Sequence, residues 1–180
     1  ETDSTKSPSP CKVLDIGTGS GCIAITLALK MADSKVSAWD ISDEALRIAR
    51  RNATTLKADV TFCRHDALNI TTTAAQQWDI IVSNPPYINE TSERSTMDAN
   101  VLDYEPRIAL FAPEQEPDLF YRRIGDYALR SLTSGGRLYF ELNPLTAETV
   151  SDYLRNLGFL EIELRHDQFG KLRFLKAKKI

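Results

Sequence analysis

The chain has 180 residues, of which 42% are apolar and 26% charged, the make-up of one soluble domain with room for a proper core. Lys plus Arg is 22 against 25 Asp plus Glu, a net charge of −3 that argues against a general nucleic-acid binder. No stretch is apolar for long enough to span a bilayer. The three cysteines, Cys11, Cys22 and Cys63, adjoin apolar runs and read as buried free thiols of a reducing compartment, so a disulfide scaffold is not expected.

Residues 1–10, rich in Ser, Thr and Pro, read as a flexible linker, and the chain begins at Glu1 without an initiator Met, as an excerpt of a longer protein would. The remainder, 11–180, reads as one domain. Val13–Ile16 is a short apolar run suited to a buried strand, and Ser20–Met31 has the composition of a helix. Lys35–Trp39 reads as a second strand. Ser42 is the expected N-cap of a helix over Asp43–Leu56, with acids in its first turn and arginines later. Val60–Cys63 and Ile80–Ser83 read as the third and fourth strands, and the Thr- and Gln-rich stretch between them is left open.

From Asn84 to Pro117 the rhythm breaks. That stretch holds five prolines, and residues 88–117 carry seven acids against two arginines. A loop of this length within a compact domain is usually functional. A helix over Asp118–Leu132 is expected to stop at Ser134-Gly135-Gly136. A strand over Arg137–Leu142, a helix over Thr146–Leu157 ended by Gly158, and strands over Phe159–Leu164 and Lys171–Lys178 complete the pattern. Strands alternating with helices predict an α/β fold, a mostly parallel seven-stranded sheet with helices on both faces. The last two strands, joined only by a turn at Gly170, form a hairpin, which makes the final strand antiparallel, within or beside the sheet edge.

Two motifs carry chemistry. The run Val13-Leu14-Asp15-Ile16-Gly17-Thr18-Gly19-Ser20-Gly21 is a strand entering a glycine turn that opens a helix, where backbone N–H groups face a ligand and glycines admit it closely. Cys22 stands where a dinucleotide fingerprint needs its third glycine, so the spacing is GxGxG. Asp40 ends the second strand, where a carboxylate can accept from both hydroxyls of a ribose, and Asp66 follows the third strand, where it can accept from an adenine amino group. Each acid has a plainer reading, as a helix-end charge or a surface Asp.

The second motif is Asn84-Pro85-Pro86-Tyr87, at the end of the fourth strand. A planar amide or exocyclic amine is a poor nucleophile because its lone pair is delocalised. Acceptors that hold its two N–H groups can aim it at a methyl donor. The Asn84 side-chain oxygen and the Pro85 carbonyl are such acceptors, prolines keep the backbone stiff, and Tyr87 offers a flat face.

In these motifs the chain resembles the PrmC/HemK family, whose members are N5-glutamine methyltransferases of peptide-chain release factors. The resemblance rests on the GTGSG loop, Asp40 in WDIS, SNPPYI, Tyr104-Glu105-Pro106-Arg107 with Ala109-Leu110, Gly135-Gly136, Glu141 and Asp167…Gly170…Arg173. It implies a Rossmann-like S-adenosylmethionine-dependent methyltransferase fold, with S-adenosylmethionine as cofactor and a release factor as protein substrate. Asp15 and the loop residues Gly17, Thr18, Gly19, Ser20 and Gly21 would hold its methionine end. Asp40 and Ile41 would take the ribose side, Asp66 and Ala67 would border the adenine, and Asn84 would touch both cofactor and substrate. Asn84, Pro85 and Tyr87 would be catalytic, with Pro86 completing the substrate-binding loop. No metal, membrane or direct nucleic-acid contact is implied, and the location would be cytoplasmic. His65 and His166 read as ordinary surface or partly buried residues.

The sequence departs from the family in three places. The helical domain and the Arg-Pro-Glu-Thr-Glu segment that precede the first strand in the family are not in this chain, which therefore reads as the catalytic domain alone. Ala67 stands where some members carry Trp, and Glu141-Leu142-Asn143-Pro144-Leu145 replaces a glycine-containing turn followed by Gln. The rival readings are a methyltransferase of adenine N6 or guanine N2, which would use the same loop, and a non-catalytic cofactor-binding module. The acidic stretch beside the loop weighs against phosphate binding.

Overall fold

The computed structural model describes residues 9–70, 77–88 and 110–180. Tyr104-Glu105-Pro106-Arg107, Ala109 and nearly all of the expected N-terminal linker lie outside them. In chain order the elements are β1 (Cys11–Ile16), α1 (Cys22–Lys30), β2 (Ser34–Asp40), α2 (Asp43–Leu56), β3 (Val60–Arg64), β4 (Trp78–Ser83), α3 (Leu119–Ser131), β5 (Leu132–Glu141), α4 (Ala147–Asn156), β6 (Leu160–His166) and β7 (Leu172–Lys178). Among the described residues, no helix is long and apolar enough to cross a membrane.

The strands form one seven-stranded sheet in the order β3-β2-β1-β4-β5-β7-β6. β1 to β5 pair in parallel, whereas β7 is antiparallel to both β5 and β6. The expected antiparallel strand is therefore present, and it lies inside the sheet rather than at its edge.

Alternation along β1 divides the core between the two faces. Val13 packs with Ala24 of α1 and with Val36 and Ala38 of β2. Leu14 and Ile16 point the other way, toward Tyr121, Ile124 and Tyr127 of α3 and Val150 and Leu154 of α4. Helices thus cover both faces, as the pattern predicts. Each fully buried Leu or Ile on these faces contributes about 1.5–3 kcal/mol. The large aromatics also satisfy their polar ends, the Trp78 indole N–H donating to Tyr127 Oη at 2.9 Å. The capping expectation for α2 is met: Ser42 accepts from Ala45 N–H at 3.2 Å.

Two expectations need correction. Ser134-Gly135-Gly136 does not end an element, because β5 begins at Leu132 and runs through it. Trp78 pairs with Leu132 and Ile80 with Arg137, so the intervening residues of β5 form a bulge in which Gly135 adopts φ +76°. Gly136 has no room for a side chain, since a Cβ there would stand 2.9 Å from the Thr133 carbonyl oxygen. None of the three cysteines is disulfide-bonded, but none is fully buried either: Cys11 and Cys63 are half-buried and Cys22 is exposed.

Candidate functional site

Parallel strands deliver their carboxyl ends to one edge of the sheet, and the ends of β1, β2 and β4 meet there. Gly17 follows β1 and Gly19 and Gly21 come next, with φ of +72°, +56° and +87°. All three lie in the left-handed region that glycine alone enters at little cost. The Gly17 and Thr18 N–H groups both donate to the Trp39 carbonyl, at 2.8 and 3.0 Å, which ties the loop to β2. A Cβ on Gly19 would meet nothing within 4 Å, so this face of the loop is open. Gly21 has the opposite reason to be glycine. A Cβ there would lie 3.0 Å from Ile25 and 3.1 Å from Ala49, where α1 and α2 pack together.

Asp15 lies beneath this loop and is fully buried. Its Oδ2 accepts from Thr18 Oγ1 at 2.7 Å and from Ala24 N–H at 3.2 Å, while Oδ1, also buried, has no partner. Burial pushes the Asp15 carboxyl up to about 6, against its two hydrogen bonds and with a small contribution from the charge of Asp40.

Asp40 ends β2 half-buried and joins two loops. Its Oδ2 accepts from Gly19 N–H and its Oδ1 from Ser42 N–H, each at 2.9 Å. Each oxygen keeps lone-pair capacity for a further donor. Ile41 beside it is 38% exposed, an apolar side chain left uncovered next to the acid. Asp66 is occupied locally, accepting from Leu68 N–H at 2.9 Å and Asn69 Nδ2 at 2.6 Å, which is its plainer reading. Ala67 is partly buried against the core. His65 and His166 are exposed, the former lying 4.1 Å from the Trp39 ring.

β4 is stitched to β1 at this edge: Ser83 pairs with Ile16, and its hydroxyl donates to the Ile16 carbonyl at 2.7 Å. The next residue, Asn84, is exposed, and its carbonyl oxygen would stand 3.9 Å from a Cβ on Gly17. The two motifs are therefore neighbours. Pro85 is buried, Pro86 and Tyr87 are half-buried, and Tyr87 packs against the main core. A cavity of about 570 Å³ opens over β4, β5 and β7, lined by Ile23, Val82, Ser83, Tyr139, Glu141 and Phe174 among others, and neither the glycine loop nor Asn84–Tyr87 lines it. Among the described residues, no three His, Cys, Asp or Glu side chains group so as to hold a metal ion.

A small-domain methyltransferase model matches residues 4–104, more than half of the chain. The chain belongs to the methyltransferase small domain family. S-adenosylmethionine is the cofactor that accompanies this family and fold. The residues present fit such a group: an open cradle over Gly19, a buried acid with an unpartnered oxygen beneath it, and an uncovered Ile41 beside the acid of β2. The methyltransferase domain is also 47% identical over 174 residues to a release factor glutamine methyltransferase of Bacteroides thetaiotaomicron, covering 97% of this chain and 62% of that protein. The corresponding protein of Flavobacterium psychrophilum is 43% identical over 166 residues, 92% of this chain and 58% of its own length. The domain thus spans about three fifths of the curated relatives it matches. Among solved structures, a methyltransferase from Pyrococcus furiosus superposes with a TM-score of 0.69 at 21% identity, covering 97% of this chain and 78% of that one. TrmN from Thermus thermophilus gives 0.64 at 24%, covering 96% and 45%. These two likenesses establish the expected Rossmann-like methyltransferase fold.

The surroundings of Tyr87 are not legible in the sequence. Glu141, Asp167 and Arg173 belong to the pattern that carries the resemblance, which assigns them no role. Yet the Tyr87 hydroxyl donates to Glu141 Oε1 and accepts from Arg173 Nη1, both at 3.1 Å. Nothing local in the sequence sets Arg173 apart, because the same strand also carries Lys176 and Lys178.

Proposed function

We propose that the chain is the catalytic domain, residues 11–180, of an enzyme that methylates the side-chain amide nitrogen of the glutamine in the Gly-Gly-Gln motif of peptide-chain release factors. The curated relatives are named release factor glutamine methyltransferases, which supports the reading. The observation that supports the reading is that exposed Asn84 brings its main-chain carbonyl next to Gly17, so the two motifs adjoin. An acceptor amide held by Asn84 then lies beside the cofactor cradle.

S-adenosylmethionine, when bound, supplies an electrophilic methyl group on a positively charged sulfur. Asn84 Oδ1 and the Pro85 carbonyl accept the two N–H groups of the substrate amide and fix its orientation. As the nitrogen takes the methyl group its N–H protons become more acidic, so these acceptors hold the transition state more tightly than the ground state. One of the two protons leaves to solvent to give the neutral N-methyl amide. Pro85 and Pro86 keep the acceptors from relaxing, and the Tyr87 ring packs on the planar amide. Asp15 and Gly17 to Gly21 hold the methionine end of the cofactor. Asp40 holds the ribose with Ile41 beside it, and Asp66 and Ala67 border the adenine. The setting this implies is the cytoplasm.

The reading is tested by offering release factor, ribosomal RNA, transfer RNA and DNA separately with labelled cofactor, using the protein with any sequence its gene encodes before Glu1. Label is expected on the release factor alone. Label on nucleic acid alone would transfer the same loop chemistry to an exocyclic amine and overturn the proposed substrate.

A pH dependence follows from Asp15. Its carboxyl titrates near 6 in the folded protein, above the ordinary value of 3.8, so it binds its proton more tightly folded than unfolded. A cation above the loop favours the carboxylate, and the cofactor should therefore release a proton on binding. Its affinity is expected to rise as pH increases through about 6 and to level off above 7. Calorimetric titrations from pH 5 to 8 check this. In Asp15→Asn the profile should be flat, and an unchanged profile in that variant would remove Asp15 from cofactor binding.

A further inference from the structure

The Tyr87 ring is fastened from behind by a polar cluster that the methyl-transfer reading does not use. Its hydroxyl lies between an acid from the end of β5 and a guanidinium from the start of β7, donating to Glu141 and accepting from Arg173 at 3.1 Å each. The same Arg173 Nη1 reaches the Leu142 carbonyl at 3.4 Å, and Nε lies 3.5 Å from Asp167 Oδ2. Asp167 is itself fixed by the β6–β7 turn, its Oδ1 accepting from Phe169 and Lys171 N–H at 2.9 and 3.0 Å. Side-chain exposures of 23% for Arg173 and 16% for Asp167 place this pair largely out of water. On the other side, Asn143 Nδ2 donates to the Tyr87 carbonyl at 3.1 Å, and Tyr121 Oη donates to the Glu141 carbonyl at 3.2 Å.

The arrangement has a direct chemical consequence. A phenol has one proton to donate, and that proton goes to Glu141. Tyr87 therefore has no hydroxyl donor to offer a substrate, and what it presents is its ring. A ring held only at Cβ can swing about two torsions, whereas one held also at its hydroxyl has a single orientation. Charge-assisted bonds from side chains on rigid strands are the strong form of such a tether.

We propose that Arg173, locked by Asp167, is a positioning residue that sets the Tyr87 ring through its hydroxyl for packing on the acceptor group. The proposal rests on reading the Asn84–Tyr87 loop as the acceptor site. Because Arg173 acts through the hydroxyl, removing it costs no more than removing the hydroxyl, which also gives up the bond to Glu141, and removing both adds nothing to that loss.

The test is a double-mutant cycle on the protein with the release factor as substrate. Arg173→Gln and Tyr87→Phe are each expected to lower kcat about tenfold, leaving the cofactor Kd and KM within about twofold. In the Tyr87→Phe background, Arg173→Gln should cost less than about twofold more. Arg173→Lys, which keeps a donor, should recover part of the loss. Where Arg173→Gln does not fold, Arg173→Lys completes the cycle. Losses that multiply in the double variant, or Arg173 variants with unaltered kcat, overturn the proposal. A second readout needs no substrate: the Tyr87 ring resonances of the cofactor-free protein should shift and average in Arg173→Gln. Unchanged resonances overturn the tether, whereas altered resonances in a protein that methylates none of the offered substrates uphold the tether and reject the substrate assignment.

Discussion

Asn84→Ala is expected to lower methyl transfer about 10²–10³-fold, the range for losing one preorganised acceptor of a developing charge. The cofactor Kd is expected to stay within about twofold, because the cradle formed by Gly19, Asp40 and Asp15 is intact in that variant. Asn84 is exposed at the end of β4, so truncating it opens no cavity and should leave thermal stability nearly unchanged. Stability, cofactor affinity and turnover thus separate cleanly. Turnover within twofold of the parent protein would mean that the acceptor amide is held elsewhere.

Asp40→Ala acts on the other half of the site. It is expected to weaken cofactor binding by about 1–3 kcal/mol, the range for hydrogen bonds to charged groups. In Kd that is about 5- to 150-fold. The structure adds a reason beyond the ribose contact. One carboxylate accepts from Gly19 N–H and Ser42 N–H, so its loss frees the glycine loop from the end of β2. Asp40→Asn, which keeps one oxygen acceptor, should fall between the two. Calorimetry decides it, and an unchanged Kd in Asp40→Ala would place the ribose away from β2.

The local features of the fold were legible because local rules decide them. Ser42 caps α2 as read, and the GxGxG turn joins β1 to α1 with its glycines at positive φ. β5 was misread for a physical reason. Ser134-Gly135-Gly136 has turn chemistry, but Gly135 N–H donates to the Lys179 carbonyl and Lys179 N–H to the Gly136 carbonyl. These bonds, at 3.0 and 2.9 Å, keep the bulge within the sheet. The partner lies more than forty residues downstream, beyond the reach of a local pattern.

The same limit applies to β7. The short turn at Gly170 announces a hairpin, but not that β7 will insert between β5 and β6. That placement depends on Leu175 and Ala177 sharing the buried face with Leu138 and Phe140. At the site, Asn84 and the glycine loop were readable as motifs. Tyr87 and Arg173 meet across 86 residues, so their contact became visible only in the folded chain. Asp66 bonds within its own turn, one donor to each oxygen as at Asp40, and its place beside the adenine remains part of the proposed function.

The central claim is that the Asn84–Tyr87 loop directs a methyl group to an amide nitrogen. Mass-spectrometric mapping of a release factor treated with the protein and S-adenosylmethionine tests it most directly. The account predicts one added methyl group on the side-chain nitrogen of the Gly-Gly-Gln glutamine, and none with Asn84→Ala. A methyl group on any other residue, or an equal yield from Asn84→Ala, would contradict it.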